Sequence, residues 1–233
     1  MAAPAPVVRV PLAIGESLLE CFHLFSSTFP LLLLSVAVFS FPLQLLTEGV
    51  LERSFGPAES WRSLLLYVLL SSITSPFLSA AAVTAANAHR AGEALSRREL
   101  LGRAASNWYR VLNVQVLSGL LIGLGVLAFL IPGVLLFARY ALVDSIAVLE
   151  RRPTGRCLDR SRELVKGATA RVLLLLLLLE LPPLVTASLG GLLTAKPPFS
   201  GFVFTSLTAS IDTLAGMLTY LGMFVVYRTR SAG

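Results

Sequence analysis

Charge is what this sequence has least of. Of 233 residues only 14% are Asp, Glu, Lys or Arg, against about 25% in a soluble domain. The shortfall excludes a chain solvated mainly by water. Histidine is nearly absent too, with only His23 and His89, far apart in sequence. The two cysteines, Cys21 and Cys157, have no metal-ligand spacing. A metal site is therefore not expected, and no cofactor is assigned. Both cysteines fall on the side that the charges assign to the cytoplasm, where thiols stay reduced, so no disulfide is expected. There is no HExxH, no P-loop, no GxSxG and no GxGxxG opening a helix after a strand. These absences argue against an enzyme. A cleaved leader is not expected either, because a lone Arg9 precedes no sustained apolar core and no small-residue cleavage site follows. Leu18-Leu19-Glu20-Cys21 has the outline of a lipoprotein box, but Glu20 stands where a small residue belongs.

Long apolar runs are what the chain has in plenty. It is 55% hydrophobic, with a mean hydropathy of +0.79. A helix needs about 20 mostly apolar residues to cross roughly 30 Å of hydrocarbon. Six stretches meet this, at about 29–47, 63–86, 110–130, 133–149, 171–193 and 201–227. The fold class predicted is all-α, a single six-span membrane bundle over 1–233. Ile131-Pro132-Gly133 is expected to make a tight hairpin between the third and fourth spans, since proline lacks a donor and glycine permits a turn.

The net charge is +6, and its distribution carries the topology. Arg90, Arg97, Arg98, Arg103 and Arg110 lie between spans two and three. Arg151, Arg152, Arg156, Arg160, Arg162, Lys166 and Arg171 lie between spans four and five, and Arg228 and Arg230 close the tail. The opposite connections carry only Arg53, Arg62 and Lys196. Loops rich in Lys and Arg stay in the cytoplasm, so both termini are expected inside. Nucleic acid is a poor partner for this charge, because the arginines alternate with Glu and Asp at span ends. The expected partners are the bilayer and its anionic headgroups, met by Arg97, Arg98, Arg103, Arg156, Arg160, Arg162 and Lys166.

Amphipathic segments precede spans one, three and five and are read as interfacial elbows. In the first, Leu18, Phe22, Phe25 and Phe29 share a face opposite Glu16, Glu20 and His23. In the second, Leu101, Ala104, Ala105 and Trp108 oppose Arg97, Glu99, Arg103 and Asn107, and Ser96 to Glu99 fits a capping box. In the third, Leu158, Ser161, Leu164, Val165 and Ala168 face away from Arg156, Arg160 and Arg162. The chain thus reads as three weak repeats, about 12–90, 91–152 and 153–230, each an elbow plus a hairpin.

Four ionisable residues fall inside spans: Arg139, Asp144, Glu180 and Asp212. A charge there costs at least about 2.5–3.5 kcal/mol on insertion scales and normally turns inward toward a partner. Arg139 is expected to pair with Asp212 or Glu180, leaving Asp144 on another face. Glu180 precedes Pro182 and Pro183, and a carboxylate beside a broken helix is how transporters build sites. A plain kink, with Glu180 turned to a wet crevice or a neighbouring hydroxyl, is the other reading. Gly119 and Gly123 form a GxxxG that suits close packing within the chain, or contact with a second copy or another membrane protein. Ser71, Ser72, Ser75 and Ser79 read as packing residues.

GESLLECFHLFSSTFPLLL near the start, IPGVLLFARYALVDSIAVLE and then LDRSRELVKG resemble the bacterial YciC-like family. That family is related to the membrane domain joined to some glycerophosphodiester phosphodiesterases. The likeness rests on Ile131-Pro132-Gly133, Arg139, Glu150 and Arg160 to Gly167. It implies six spans, the bacterial inner membrane and no phosphodiesterase activity, since the soluble barrel that carries that activity is missing. Two functions remain open. One is a non-enzymatic scaffold or accessory in lipid or envelope processes. The other is a small transporter or exporter subunit with its site near Glu180 and Arg139/Asp212. A closed, leucine-filled centre would favour the first, and a water-accessible cavity reaching Glu180 the second.

Overall fold

The computed structural model describes residues 13–46, 61–194 and 201–231. Its elements are helical, and six of its helical stretches are long and apolar enough to cross a membrane. Helix α1 runs Ile14–Leu46 and carries one π-helical turn at Val36–Ser40. Then come α2 (Trp61–Ala91), α3 (Arg97–Ala128), α4 (Leu130–Tyr140) and α5 (Val143–Leu149). Helices α6 (Thr154–Val165), α7 (Thr169–Leu179), α8 (Leu181–Thr194) and α9 (Phe202–Ser231) complete the chain. The connections holding Arg53 and Lys196, and the Arg62 side chain, lie outside the described residues.

The last helix is the centre of the bundle. α9 packs against α1, α2, α5, α6, α7 and α8. From Met217 to Tyr227 it is buried over most of its surface, with Met217, Leu221, Phe224 and Val226 sealed completely. Beside it, α2 contributes an alanine-rich stripe, Ala80, Ala81, Ala82, Ala85 and Ala86, buried completely or nearly so. Small side chains let helix backbones approach, which is where packing energy comes from when the solvent is lipid. Many other leucines point outward: Leu120, Leu124, Leu174, Leu177 and Leu184 are all exposed.

The first two amphipathic segments also turn a side to protein. The buried side of α1 is Ser17, Cys21, Leu24, Thr28 and Leu32, while Leu19, Phe22 and Phe29 are exposed. On α3 the buried side is Leu100, Ala104, Asn107, Val111 and Val114, and Ala105 is exposed. The exposed Leu19, Phe22 and Phe29 agree with an apolar side turned to lipid, while a second side of each helix packs on protein. The first two amphipathic segments are also continuous with their spans: α3 runs through, and α1 continues across Pro30, whose missing N–H takes one bond from the ladder. The capping box does form: Ser96 N–H donates to Glu99 Oε2 at 3.0 Å, and Glu99 N–H donates to Ser96 Oγ at 3.3 Å.

The third segment is a separate helix, α6, set off by Arg151 at φ 50° and Gly167 at φ 81°. Glycine suits that left-handed position at Gly167, where a β-carbon would be strained. The expected apolar face is correct in phase, since Leu158, Ser161, Leu164, Val165 and Ala168 are all buried. It lies on protein, however, packing across α3, α4, α5 and α9. Ser161 fastens it: its hydroxyl donates to the Arg139 carbonyl at 2.7 Å and accepts the Leu142 N–H at 3.3 Å.

The α3–α4 hairpin turns at Phe129, which alone adopts extended angles (φ −161°, ψ 144°). Pro132 then sits in the first turn of α4, where its missing N–H is harmless. Gly133 is helical rather than part of a turn. A β-carbon there would fall 2.7 Å from the Val126 nitrogen, and one at Gly125 would fall 3.1 Å from Gly133 Cα. Its role is close approach of two helices. Gly119 and Gly123, in contrast, have nothing within 4 Å of where a β-carbon would be.

Candidate functional site

Two places gather polar side chains. The first is the arginine-rich end. Glu150, at the end of α5, forms ion pairs with Arg152 and with Arg160 (3.7 Å), and Tyr227 donates to it at 3.1 Å. Arg160 also reaches Glu163 at 3.4 Å, and Arg162 reaches Asp159 at 3.6 Å while donating to the Tyr140 hydroxyl. Arg110 donates to the Arg151 carbonyl at 3.1 Å, tying α3 to the turn before α6. Arg103 pairs with Glu93 at 3.0 Å. Arg97, Arg98, Arg156 and Lys166 are exposed. Cys157 is buried here, and burial first, then the Glu150 carboxylate, push its thiol pKa up, so it stays protonated and unreactive. His23 and His89, distant in sequence, meet with ring centroids 6.3 Å apart beside the Glu20–Arg90 ion pair. Among the described residues no three His, Cys, Asp or Glu side chains are grouped to hold a metal ion.

The second place is a cavity of about 400 Å³ in the other half of the bundle. It opens between the end of α1, the first half of α2, the α7–α8 junction and α9. Glu180 and Asp212 both line it. Glu180 is there because α7 stops at Leu179. Pro182 and Pro183 cannot supply the N–H groups that would continue the ladder, so α8 starts anew at Leu181. The break falls nine residues beyond Arg171, roughly 13 Å into the span by helical rise. Thr219, nine residues before Arg228, lies at the matching depth and donates to Glu180 Oε1 at 3.0 Å. Asp212 Oδ1 accepts from Thr186 on α8 at 2.8 Å.

Among the described residues neither carboxylate has a cation beside it. The expected partner, Arg139, is exposed on α4 and forms no ion pair among the described residues. It lies toward the arginine-rich end of its helix, where its long side chain can reach the headgroup region. The ion-pair expectation for Arg139 with Asp212 or Glu180 is therefore corrected. The expected kink at Glu180 and a polar crevice before it are both present.

Uncharged residues missed in the sequence complete the walls. Gln44 donates to Ser40 and to Thr213, each at 3.0 Å, and accepts from Ser210 at 2.9 Å, joining α1 to α9. Ser71 and Ser72 do bond within their own helix, to the Val68 carbonyl. Ser75 does more than pack: its hydroxyl meets Gln115 Oε1 at 3.2 Å and the Tyr220 hydroxyl at 3.0 Å. Gln115 Nε2 in turn donates to Asp144 Oδ2 at 2.8 Å. Asp144, expected to stand apart, is thus linked to the cavity wall. A signal was present, because the chain's only two glutamines are Gln44 and Gln115, and both fall inside spans.

Chemically, the cavity offers two carboxylates, several hydroxyls and an amide, with no Lys, Arg or His in its lining among the described residues. It suits a compact cation or a hydrogen-bond donor. No protein-family model, curated protein or solved structure matches the chain.

Proposed function

We propose that this membrane protein is a small carrier whose cavity binds a compact organic cation, held by Glu180 and Asp212. One observation carries the reading: two carboxylates face a cavity of about 400 Å³ without a basic partner among the described residues. That volume lies within the roughly 300–1,000 Å³ of small-molecule sites. Unmatched charge within a span is expensive and marks ion or substrate pathways. The cavity favours a transporter or exporter subunit over a scaffold, since Glu180 and Asp212 both line it. The placement in a bacterial inner membrane, with both termini in the cytoplasm, rests on the arginine asymmetry and on the YciC-like resemblance. Reporter fusions after Arg97 and Arg160 should read cytoplasmic, and the opposite result overturns that orientation.

The test of the carrier uses protein reconstituted in proteoliposomes, with ethidium as cationic probe and anilinonaphthalene sulfonate as anionic control. Saturable ethidium binding is expected. Glu180→Gln or Asp212→Asn each removes a charged partner worth about 1.5–3 kcal/mol, roughly 10- to 150-fold in Kd. Circular dichroism confirms that the variants fold. Ethidium binding that survives in the double variant, or equal binding of the anionic probe, overturns the proposal.

A further inference from the structure

Asp144 is the one spanning carboxylate that does not line the cavity, yet a continuous path leads from it to the cavity wall. Its Oδ2 accepts from Gln115 Nε2 at 2.8 Å, and Gln115 Oε1 lies 3.2 Å from Ser75 Oγ. Ser75 Oγ lies 3.0 Å from the Tyr220 hydroxyl, and either oxygen can be the donor in that bond. Ser75 and Tyr220 both line the cavity. Asp144 Oδ1 is sealed from solvent and has no hydrogen-bond partner. Among the described residues no cation pairs with Asp144. Helices α2 and α3 present Ser75, Ser79 and Gln115 to this region, and α9 presents Tyr220, with Glu180 beyond it. On α6, Asp159, Arg160, Arg162 and Glu163 are engaged with Glu150, Tyr140 and one another at the bundle end, and Arg156 is exposed.

We infer that Asp144 is a proton-binding site whose charge state sets the hydrogen-bonding polarity of the cavity wall through Gln115, Ser75 and Tyr220. The inference rests on the reading of the cavity as a binding site. Each group in the path has a fixed stock of donors and acceptors. With Asp144 ionised, Gln115 donates to it through Nε2, and Oε1 accepts the Ser75 proton. Ser75 can then only accept from Tyr220, whose O–H is spent inward. The phenol therefore shows the cavity lone pairs alone. When a proton binds Asp144, the acid O–H donates to Gln115 Oε1 after the amide turns over. The amide oxygen and nitrogen are nearly the same size, so the turn needs no repacking. Nε2 now donates to Ser75, Ser75 donates to Tyr220, and the Tyr220 O–H is released toward the cavity. No bond other than the new O–H on Asp144 is made, and every other proton stays on its own heavy atom. The wall changes from acceptor to donor, which disfavours a cation beside Glu180. A proton entering at Asp144 would thus help to expel the cation, as proton–cation exchange requires.

The test needs no ligand at first. Infrared difference spectra, acid minus neutral, are recorded on the full chain in bilayers. Two features are expected: a carboxylic C=O band lost in Asp144→Asn, and a shift of the tyrosine C–O mode lost in Tyr220→Phe. In Gln115→Leu the C=O band should persist while the tyrosine shift disappears. Ser75→Ala, a milder change, should do the same if Gln115→Leu does not fold. A tyrosine shift that persists in both link variants, or the lack of an Asp144 band, overturns the relay. Ethidium affinity then separates the two proposals. Acidification should weaken it at least tenfold in the wild type and less in Ser75→Ala. If ethidium does not bind while the infrared shift holds, the cation site fails and the relay stands. If ethidium binds and the shift is missing, the relay fails alone.

Discussion

At the arginine-rich end, carboxylates meet cations: Glu20 with Arg90, Glu93 with Arg103, and Glu150 with Arg152 and Arg160. In the cavity half they meet only hydroxyls and an amide: Glu180 with Thr219, Asp212 with Thr186, Asp144 with Gln115. The same residue types are used in opposite ways. Near water a charge is cheap to place and is matched locally, so its work is to fix the geometry of helix ends. Deep in the span it is expensive, and leaving it unmatched makes sense only if something else matches it in turn. The presence of a charge in a membrane protein therefore says less than the identity of its neighbour.

The largest expected effect falls on the matched end. Glu150→Ala removes the carboxylate beside the enclosed Nε of Arg160, leaving that side chain only the exposed Glu163, and should destabilise the fold by about 3 kcal/mol in bilayer or bicelle unfolding. Glu180→Gln and Asp212→Asn should change stability by less than about 1 kcal/mol, since each keeps a neutral hydrogen bond. Equal losses in all three would erase the contrast between the two halves.

A second test carries the comparison from charge to packing, within one hairpin. Gly133→Ala sets a methyl against the Val126 backbone and should cost about 1–3 kcal/mol, with a shift of the hairpin. Gly119→Ala meets nothing and should be neutral or stabilising by up to about 1 kcal/mol. The smallest effect belongs to Arg139→Ala. An exposed guanidinium without an ion pair should change folded yield little, within about 0.5 kcal/mol. A large loss there, rescued by removing Glu180 or Asp212, would restore the buried-pair account.

The six spans were legible because length and hydropathy depend on the solvent alone. The capping box at Ser96–Glu99 was legible because it is local in sequence. The sides of α1 and α3 that pack on protein were not, since an interfacial reading sorts residues by polarity and does not say which side chains another helix will cover. For the site, the energetic cost of charge singled out Asp144, Glu180 and Asp212; the last two line the cavity and the first is bonded to its wall through Gln115. It misled on Arg139, because opposite charges in one bundle were assumed to attract each other, whereas an arginine near a helix end finds water more cheaply. Ser75 and Tyr220 carried no signal of their own, being ordinary in spans until a second helix is set beside them. Gln44 and Gln115 carried one that went unread.

The single-residue link at Phe129 fixes how far this part of the molecule extends. From Arg110, level with Arg151, to Ala128 is 18 residues, roughly 27 Å of helix. Leu127, Phe129, Leu130 and Ile131 crown the hairpin, all strongly exposed and all apolar. Such a tip has nothing to offer water and ends within the far edge of a hydrocarbon layer about 30 Å thick. The hairpin is thus a fixed-length peg driven from one leaflet toward the other. In thicker membranes lipid must thin around it, at fractions of a kcal/mol per Å. Thermal stability measured across lipids of increasing chain length should peak in the thinner bilayers, making this protein a gauge of the membrane that holds it.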